Sequence, residues 1–452
     1  MSTRKGQLKL GAFLMNTGHH IAGWRHPNAQ ADGGLNFAHY REVAQAAERA
    51  KFDMIFFADN VGIRNERNPQ ALSRVSQNLH FEPITLLSAL SAVTDHIGLA
   101  ATASTSFNEP FNLARKFASL DYLSGGRAAW NIVTSATDTE ARNFGLEKHI
   151  DHSLRYERAA EFVQVVTGLW DSWDDDALVI DKESGIFLDP EKLHVLHHHG
   201  KHFSVEGPLN VARPVQGYPV LIQAGASDVG REFAATTAEV IFTAQQTLAD
   251  AQEFYADIKG RVAKYGRSPE QLLIMPGIFP IVGRTEAEAQ EKFDLLQSFI
   301  HPIVGRELLA GLAGGVDLSG YSPDDPLPDL PETNLNKSRL KLIVDLAGRG
   351  NLTIREVYSA LATARGHRTI WGTPEQIADQ LEEWFDNGAA DGFNIMPPYL
   401  PGGLYDFIEL VIPVLQQRGL FRTEYEGRTL RENLGLARPK NQFSASLAAT
   451  PV

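Results

Sequence analysis

The chain has 452 residues, a formal net charge of -13 and no cysteine. Without cysteine there are no disulfides, thiolate metal ligands or cysteine nucleophile, which agrees with a cytoplasmic location. The acidic balance argues against nucleic acid or an anionic membrane as partner, no apolar run approaches the ~20 residues of a membrane span, and no secretory leader is visible.

Taken in chain order, eight short apolar runs predict strands: residues 8–14, 53–58, 97–104, 128–134, 219–224, 240–244, 272–282 and 392–396. Helical spacing of apolar residues falls between most of them, at 40–51, 84–93, 113–123, 154–170, 248–265 and 374–387. Thr373-Pro374-Glu375-Gln376 and Ser268-Pro269-Glu270-Gln271 both read as helix starts, with a capping residue followed by proline. Strands alternating with helices imply parallel pairing, and eight such units imply a closed (β/α)8 TIM barrel with long insertions. The insertions lie at about 171–217, with a hairpin expected at 200–207, and at about 297–372. The second holds a proline- and acid-rich stretch, 322–332, between helical patterns at 336–347 and 354–365, and is expected to close over the site. Residues 1–435 read as one domain. The polar tail from Arg418 onward, ending in the C-terminal stretch 436–452, is expected on the surface or against a neighbouring subunit.

Catalytic groups of such barrels stand at the carboxyl ends of the strands. Those ends carry Asn16, His19 and His20, then Asp59 and Asn60, then Thr102, Ser104, Thr105 and Ser106. Later strands contribute Asn131, Thr134 and Ser135, then Ser227, then Gln245 and Gln246. These are amides and hydroxyls, with neither a carboxylate pair at glycosidase spacing nor a lysine placed for a Schiff base. Such a site binds and orients a group that does the chemistry itself, which points to an organic cofactor.

The stretch PVLIQAGASDVGR, residues 219–231, is the most informative. A strand stops at a small-residue turn, Ser227 stands at a helix start, and the exposed N–H groups suit a phosphate as well as a plain cap. Asp228 beside it would repel phosphate, so Arg231 or His152 is expected to offset that charge. His152 and Tyr156, four apart, share one face of a helix. The histidine-rich stretch 194–202 resembles a metal site only superficially. Successive residues His197, His198 and His199 point alternately on a strand and do not converge, so no metal is expected. No G-x-G-x-x-G follows a strand, so the chain lacks a dinucleotide fingerprint.

The segments GAFLMNTGHHIAGWRHP, KFDMIFFADN, STSFNEPFNLARKFASLDYLSGGRAAWNIVTS and PLNVARPVQGYPVLIQAGASDVGR occur in this order. Together they resemble the bacterial-luciferase-like flavin monooxygenases, in the branch of nitrilotriacetate monooxygenase, pristinamycin synthase and dibenzothiophene-sulfone monooxygenase. The resemblance runs from about residue 8 to 435 and thins in the second insertion. It implies a two-component enzyme in which an NAD(P)H:FMN reductase supplies reduced FMN. Through a flavin hydroperoxide formed with O2, one oxygen atom would pass to a small sulfur- or nitrogen-bearing organic substrate. Residues implied for FMN are Asp59, Thr102, Thr105, Asn131, His152, Tyr156 and Ser227. The last three would converge on the phosphate, while Asp59 and the hydroxyls would face the ring or ribityl chain. His19 and His20 are the candidate catalytic residues. A strained peptide near Ala58-Asp59 and a homodimer or homotetramer are also implied. The alternatives are a deazaflavin-dependent oxidoreductase of the same superfamily and a metal-dependent hydrolase barrel.

Overall fold

The computed structural model describes residues 6–64, 68–225, 227–330, 343–344, 348 and 352–443. Eight parallel strands close a barrel: Lys9–Leu14, Met54–Phe57, Gly98–Ser104, Ala128–Val133, Val220–Gln223, Val240–Thr243, Leu273–Val282 and Gly392–Ile395. Neighbours pair in chain order, and Lys9 opposite Gly392 closes the ring. These are the expected strands, each trimmed by no more than one residue at either end. Their near-continuous apolar character follows from burial on both faces. Phe13, Phe56, Ala100, Ile222, Phe242 and Met275 fill the interior. Leu10, Ile55, Leu99, Trp130 and Leu221 pack outward against the helices.

A ninth strand, Arg368–Gly372, was not anticipated. It pairs in parallel with the second half of the long seventh strand, from Ile278 opposite Arg368 to Val282 opposite Gly372. Only Ile370 and Gly372 of it are buried and Trp371 is exposed, so it lacks the apolar run that marks the others. Ser268 does not start a long helix. Pro269–Gln271 form a single 3-10 turn, and Leu272, fully buried, is drawn into extended backbone ahead of the seventh strand. Packing there overrides the local capping signal.

The first insertion contains two antiparallel ribbons. Leu178–Asp181 pairs with Ile186–Leu188, and His198–His199 pairs with Ser204–Val205 around the turn expected at 200–207. In the second insertion the helices Pro302–Leu312 and Ile354–Ala364 pack through Leu309, Val357 and Leu361. This pair sits on the loop after the first strand: Ile21 and Ala22 pack against Val304 and Ala362, and the Ile21 N–H donates to the Ala362 carbonyl at 2.9 Å. Most of the helix expected at 336–347 lies outside the described residues.

The expectation of a surface tail is overturned. Beyond Arg418 the chain crosses the amino-terminal opening of the barrel, and Leu430, Leu434 and Leu436 join the interior cluster. A Cβ added to Gly98 would lie 2.5 Å from Leu430 Cδ1, a measure of how closely the plug fits. Arg422 and Arg431 are buried with it. Arg422 Nη2 donates to Asp53 Oδ1 at 2.5 Å and to the Asn433 carbonyl at 2.7 Å, while Asp53 Oδ2 accepts the Leu10 N–H at 2.7 Å. Arg431 makes a two-pronged pair with Glu239. Arginines that look like surface charge in sequence are here matched to carboxylates hundreds of residues away.

Replacing Arg422 by leucine would leave the buried Asp53 carboxylate without this cation. The expected cost is about 3 kcal/mol, read by urea unfolding, because a buried ion pair broken on one side leaves an uncompensated charge. A loss under about 1 kcal/mol would show that the plug does not depend on this clamp.

Candidate active site at the barrel mouth

The interior aromatic rings stack toward the carboxyl end. Phe13 lies 4.5 Å from Phe56 and 5.3 Å from Phe242, and His367 stacks on Phe242 at 4.7 Å. Side chains alternate along a strand, so Thr102 and Asn131 share the inner face with Ala100 and Ala129. Asn131 Nδ2 donates to Thr102 Oγ1 at 2.8 Å, and Asn131 Oδ1, buried, has no partner. An unmet acceptor at this depth is costly unless a ligand satisfies it. Thr105 is more engaged: both its N–H and its hydroxyl donate to the Val133 carbonyl, at 2.9 and 3.3 Å.

Asp59 follows the second strand. Its Oδ1 accepts the Asn60 N–H at 2.9 Å and lies 3.9 Å from His80 Nδ1. Burial raises the pKa of its carboxyl, with His80 the main opposing influence. Of the strained peptide expected nearby, neither a positive φ nor a cis bond is found at Ala58 or Asp59; among the described residues the cis bonds are Gly207–Pro208 and Leu400–Pro401.

The corner built by the fourth and fifth strands does assemble. His152 opens the helix His152–Trp170, and its ring lies 5.0 Å from that of Tyr156. Ser227 caps the helix Asp228–Thr237, its Oγ accepting the Gly230 N–H at 3.2 Å. The Tyr156 hydroxyl hydrogen-bonds Ser227; burial raises the tyrosine pKa and this bond opposes the rise. A Cβ on Gly230 would meet both Ser227 Oγ and Tyr156 Oη at 3.0 Å, so glycine keeps this polar niche open. Gln223 braces the turn from behind, Nε2 donating to the Gly230 carbonyl at 3.2 Å. Of the two side chains expected to offset Asp228, Arg231 or His152, the first is engaged elsewhere. It pairs with Asp257 at 2.9 Å and lies over the Phe254 ring. Asp228 is instead held by Arg261 at 2.7 Å.

His19 and His20 sit in the loop after the first strand, which packs against the loop after the eighth. Their N–H groups donate to the Pro397 and Pro398 carbonyls at 2.9 and 3.1 Å. Gly18 makes this possible: its φ is +111°, and a Cβ there would fall 2.3 Å from Tyr399 Cα. His19 Nε2 bonds to the Phe13 carbonyl at 2.9 Å, and His20 Nδ1 accepts the Ala22 N–H at 3.2 Å. Burial, helped by the Arg365 charge, holds both rings down to about 3. Both are therefore neutral near pH 7 and cannot act there as proton donors from a charged ring.

In the histidine-rich stretch the side chains pair separately: His194 with Asp174, His197 with Glu206, His198 with Glu161, His199 with Ser204 and His202 with Glu157. Among the described residues no group of three or more His, Asp and Glu side chains could hold a metal ion. Sequence reasoning overlooked Arg64, Gln77 and His80, which line a cleft with Asp59. They follow the second strand by several residues in an irregular stretch that carries no periodic signal. It also passed over Gln223, although that residue ends the fifth strand inside the motif already singled out.

A closed (β/α)8 barrel with its polar groups gathered at the carboxyl ends of the strands is an enzyme barrel. The luciferase-like monooxygenase family model matches residues 13–391, and the chain belongs to that family. It is 55% identical to N-acetyl-S-(2-succino)cysteine monooxygenase of Bacillus subtilis (strain 168), over 98% of this chain and 100% of that protein. It is 51% identical to nitrilotriacetate monooxygenase component A of Aminobacter aminovorans, over 97% and 98%. The crystal structure of a riboflavin lyase with modified FMN and riboflavin matches with a TM-score of 0.87 at 32% identity, covering 98% of this chain and 100% of that one. The chain is a flavin-dependent monooxygenase. Among its described residues, no helix is long and apolar enough to cross a membrane.

The neutral histidines give the fold a definite pH response. Unfolded histidine titrates near 6.5, so the stability contributed by His19 and His20 is fully present above that pH. It is lost as pH falls from about 6.5 toward about 3, at up to about 1.4 kcal/mol per unit for each ring. His20→Asn should flatten the decline in unfolding free energy between about pH 6 and about pH 5, by roughly 1 kcal/mol per unit. An unchanged slope in urea titrations would refute a buried neutral ring.

Proposed function

We propose that this chain is the oxygenase component of a two-component system. An NAD(P)H:FMN reductase supplies reduced FMN, and the barrel holds it for reaction with O2 and a small sulfur- or nitrogen-bearing organic substrate. The observation that carries the reading is the niche at Gly230, where Tyr156 Oη, Ser227 Oγ and a helix N-terminus meet beside His152. Oriented N–H groups and hydroxyls, with the adjacent Asp228 held by Arg261, suit a phosphate. The modified FMN in the riboflavin lyase structure and the word "component" in the nitrilotriacetate enzyme's name support the same reading. The two relatives' substrates, a thioether and a tertiary amine, support the substrate class.

When bound, the reduced flavin supplies the two electrons by which O2 delivers one oxygen atom to the substrate and the other to water. The chain's own residues bind and orient. His152, Tyr156 and Ser227 hold the phosphate, and Asp59, Thr102, Thr105 and Asn131 face the ring or ribityl chain, Asn131 Oδ1 offering its unmet acceptor. His19 and His20, uncharged and buried beside the aromatic floor, help to keep water out. No specific observation favours the deazaflavin or hydrolase alternatives.

Anaerobic titration of reduced FMN should show saturable binding at micromolar level, about -8 kcal/mol. Ser227 has φ -70°, an angle proline adopts, so Ser227→Pro should remove the N–H and hydroxyl without bending the backbone there, and should abolish binding. Ser227→Ala should cost only about 1 kcal/mol. Absence of saturable binding to the unmodified protein would sink the proposal. The isolated chain should also fail to oxidise NADH in the presence of FMN until a reductase is added, having no dinucleotide fingerprint of its own. Turnover without a reductase would contradict the two-component assignment.

A further inference from the structure

Beside the first and second strands, a small cleft of about 40 Å³ carries donors the flavin reading does not use. Arg64, Gln77 and His80 line it together with Met15 and Asn60. The backbone presenting Arg64 is firmly tied. Its N–H donates to Asn78 Oδ1 at 2.9 Å, and Asn78 Nδ2 returns a bond to the Arg64 carbonyl at 3.1 Å. Asn16 fastens the facing turn, donating to the Ser76 and Leu79 carbonyls at 3.0 and 2.7 Å. Asn143 Nδ2 holds the Val61 carbonyl at 2.8 Å.

The Arg64 guanidinium, in contrast, makes no hydrogen bond or salt bridge to a described residue. It is open to solvent, yet enough protein surrounds it to lower its pKa, with Glu140 the opposing attraction. That combination is expected of a group on the wall of a cleft. Gln77 is 9% exposed, and its Oε1 accepts from Arg365 Nη2, which fixes the amide orientation. Its Nε2, buried, is left without a partner. Arg365 ends the helix Ile354–Ala364 in a left-handed conformation, φ 51°, and its Nη1 lies 3.2 Å from Met15 Sδ. Two guanidiniums and an orphaned amide donor thus stand near Asp59, with Glu140 the acid that acts on Arg64.

A guanidinium fork and an unpartnered amide N–H on residues that line one cleft match the two oxygens of a carboxylate. We propose that Arg64 and Gln77 Nε2 form a subsite for a carboxylate of the substrate, with Arg365 as the positioning residue that orients Gln77. The substrates are then carboxylated thioethers or amines rather than neutral ones, an inference that rests on the oxygenase reading above. The phosphate of the cofactor is not the ligand, since its niche lies at the fourth and fifth strands.

The test uses the full chain with an NADH-dependent flavin reductase. The probes are thiodiacetate, N-methyliminodiacetate and an N-acetyl-S-carboxyalkyl cysteine, each beside its methyl ester. The acids should be oxygenated and the esters should react at least about tenfold less efficiently by kcat/KM. Arg64→Ala should raise KM for the acids about 10- to 100-fold with a smaller effect on kcat, and Arg64→Lys should recover part of the loss. Gln77→Glu, which brings its own carboxylate into the subsite, should also raise KM. Reduced-FMN affinity should stay unchanged in all three variants. Esters reacting as well as acids would overturn the proposal. So would Arg64→Ala leaving KM within about twofold, or weakening reduced FMN instead, or no acid reacting although FMN binds. Failure of the unmodified chain to bind reduced FMN would be a different result, and would remove the oxygenase reading itself.

Discussion

The clamp between the C-terminal segment and two carboxylates, buried Asp53 and partly buried Glu239, gives this barrel a floor. A parallel barrel has two openings, and its interior side chains must be covered at one of them for the other to serve as a mouth. Here Leu430, Leu434 and Leu436 cover the amino-terminal opening, and Arg422 and Arg431 bind them to the strand starts. Those arginines are desolvated, so the arrangement depends on each carboxylate being in place. With the floor sealed, aromatic packing continues upward through Phe13, Phe56 and Phe242 and ends beneath the polar groups of the mouth.

That mouth is uncharged where it is deepest. His19 and His20 are neutral, Asn131 and Thr102 satisfy one another in part, and the raised pKa of Asp59 reflects the cost of ionising it there. Charge and oriented dipoles sit at two places on the rim instead. One is the helix start at Ser227, with Asp228 drawn aside by Arg261. The other is the Arg64 cleft. A dry, apolar centre with two anion-seeking places on its rim is an arrangement that positions an amphiphilic cofactor and an acidic molecule without supplying acid or base of its own.

The barrel was legible because its signal is local. A β-branched or aromatic run ended by a turn marks each strand of a sheet buried on both faces, and all eight could be read that way. The Ser227 corner was legible for the same reason, since strand, turn, cap and helix follow one another in thirteen residues. What escaped depends on partners far away in sequence. The plug looked like a polar tail because Arg422 and Arg431 find their acids at Asp53 and Glu239. The pairing of Arg231 with Asp257, 26 residues on, carries no local signal either. Ser268 signalled a helix that the pull of Leu272 into the core cut to one turn. Arg64 and Gln77 lie outside any periodic element, and only the folded chain brings them to one cleft.

Arg365 belongs to the second insertion, whereas Gln77, His19 and His20 belong to loops of the barrel itself. One residue at the end of one helix therefore reaches across a seam between two parts of the chain that could change independently. Exchanging or shortening the segment between the seventh and eighth strands would alter the electrostatics beside Gln77 and the histidine pair while leaving every barrel strand and the floor intact. Scaffold and selectivity are in this way written in separate stretches of the sequence, with the left-handed Arg365 among the contacts that join them.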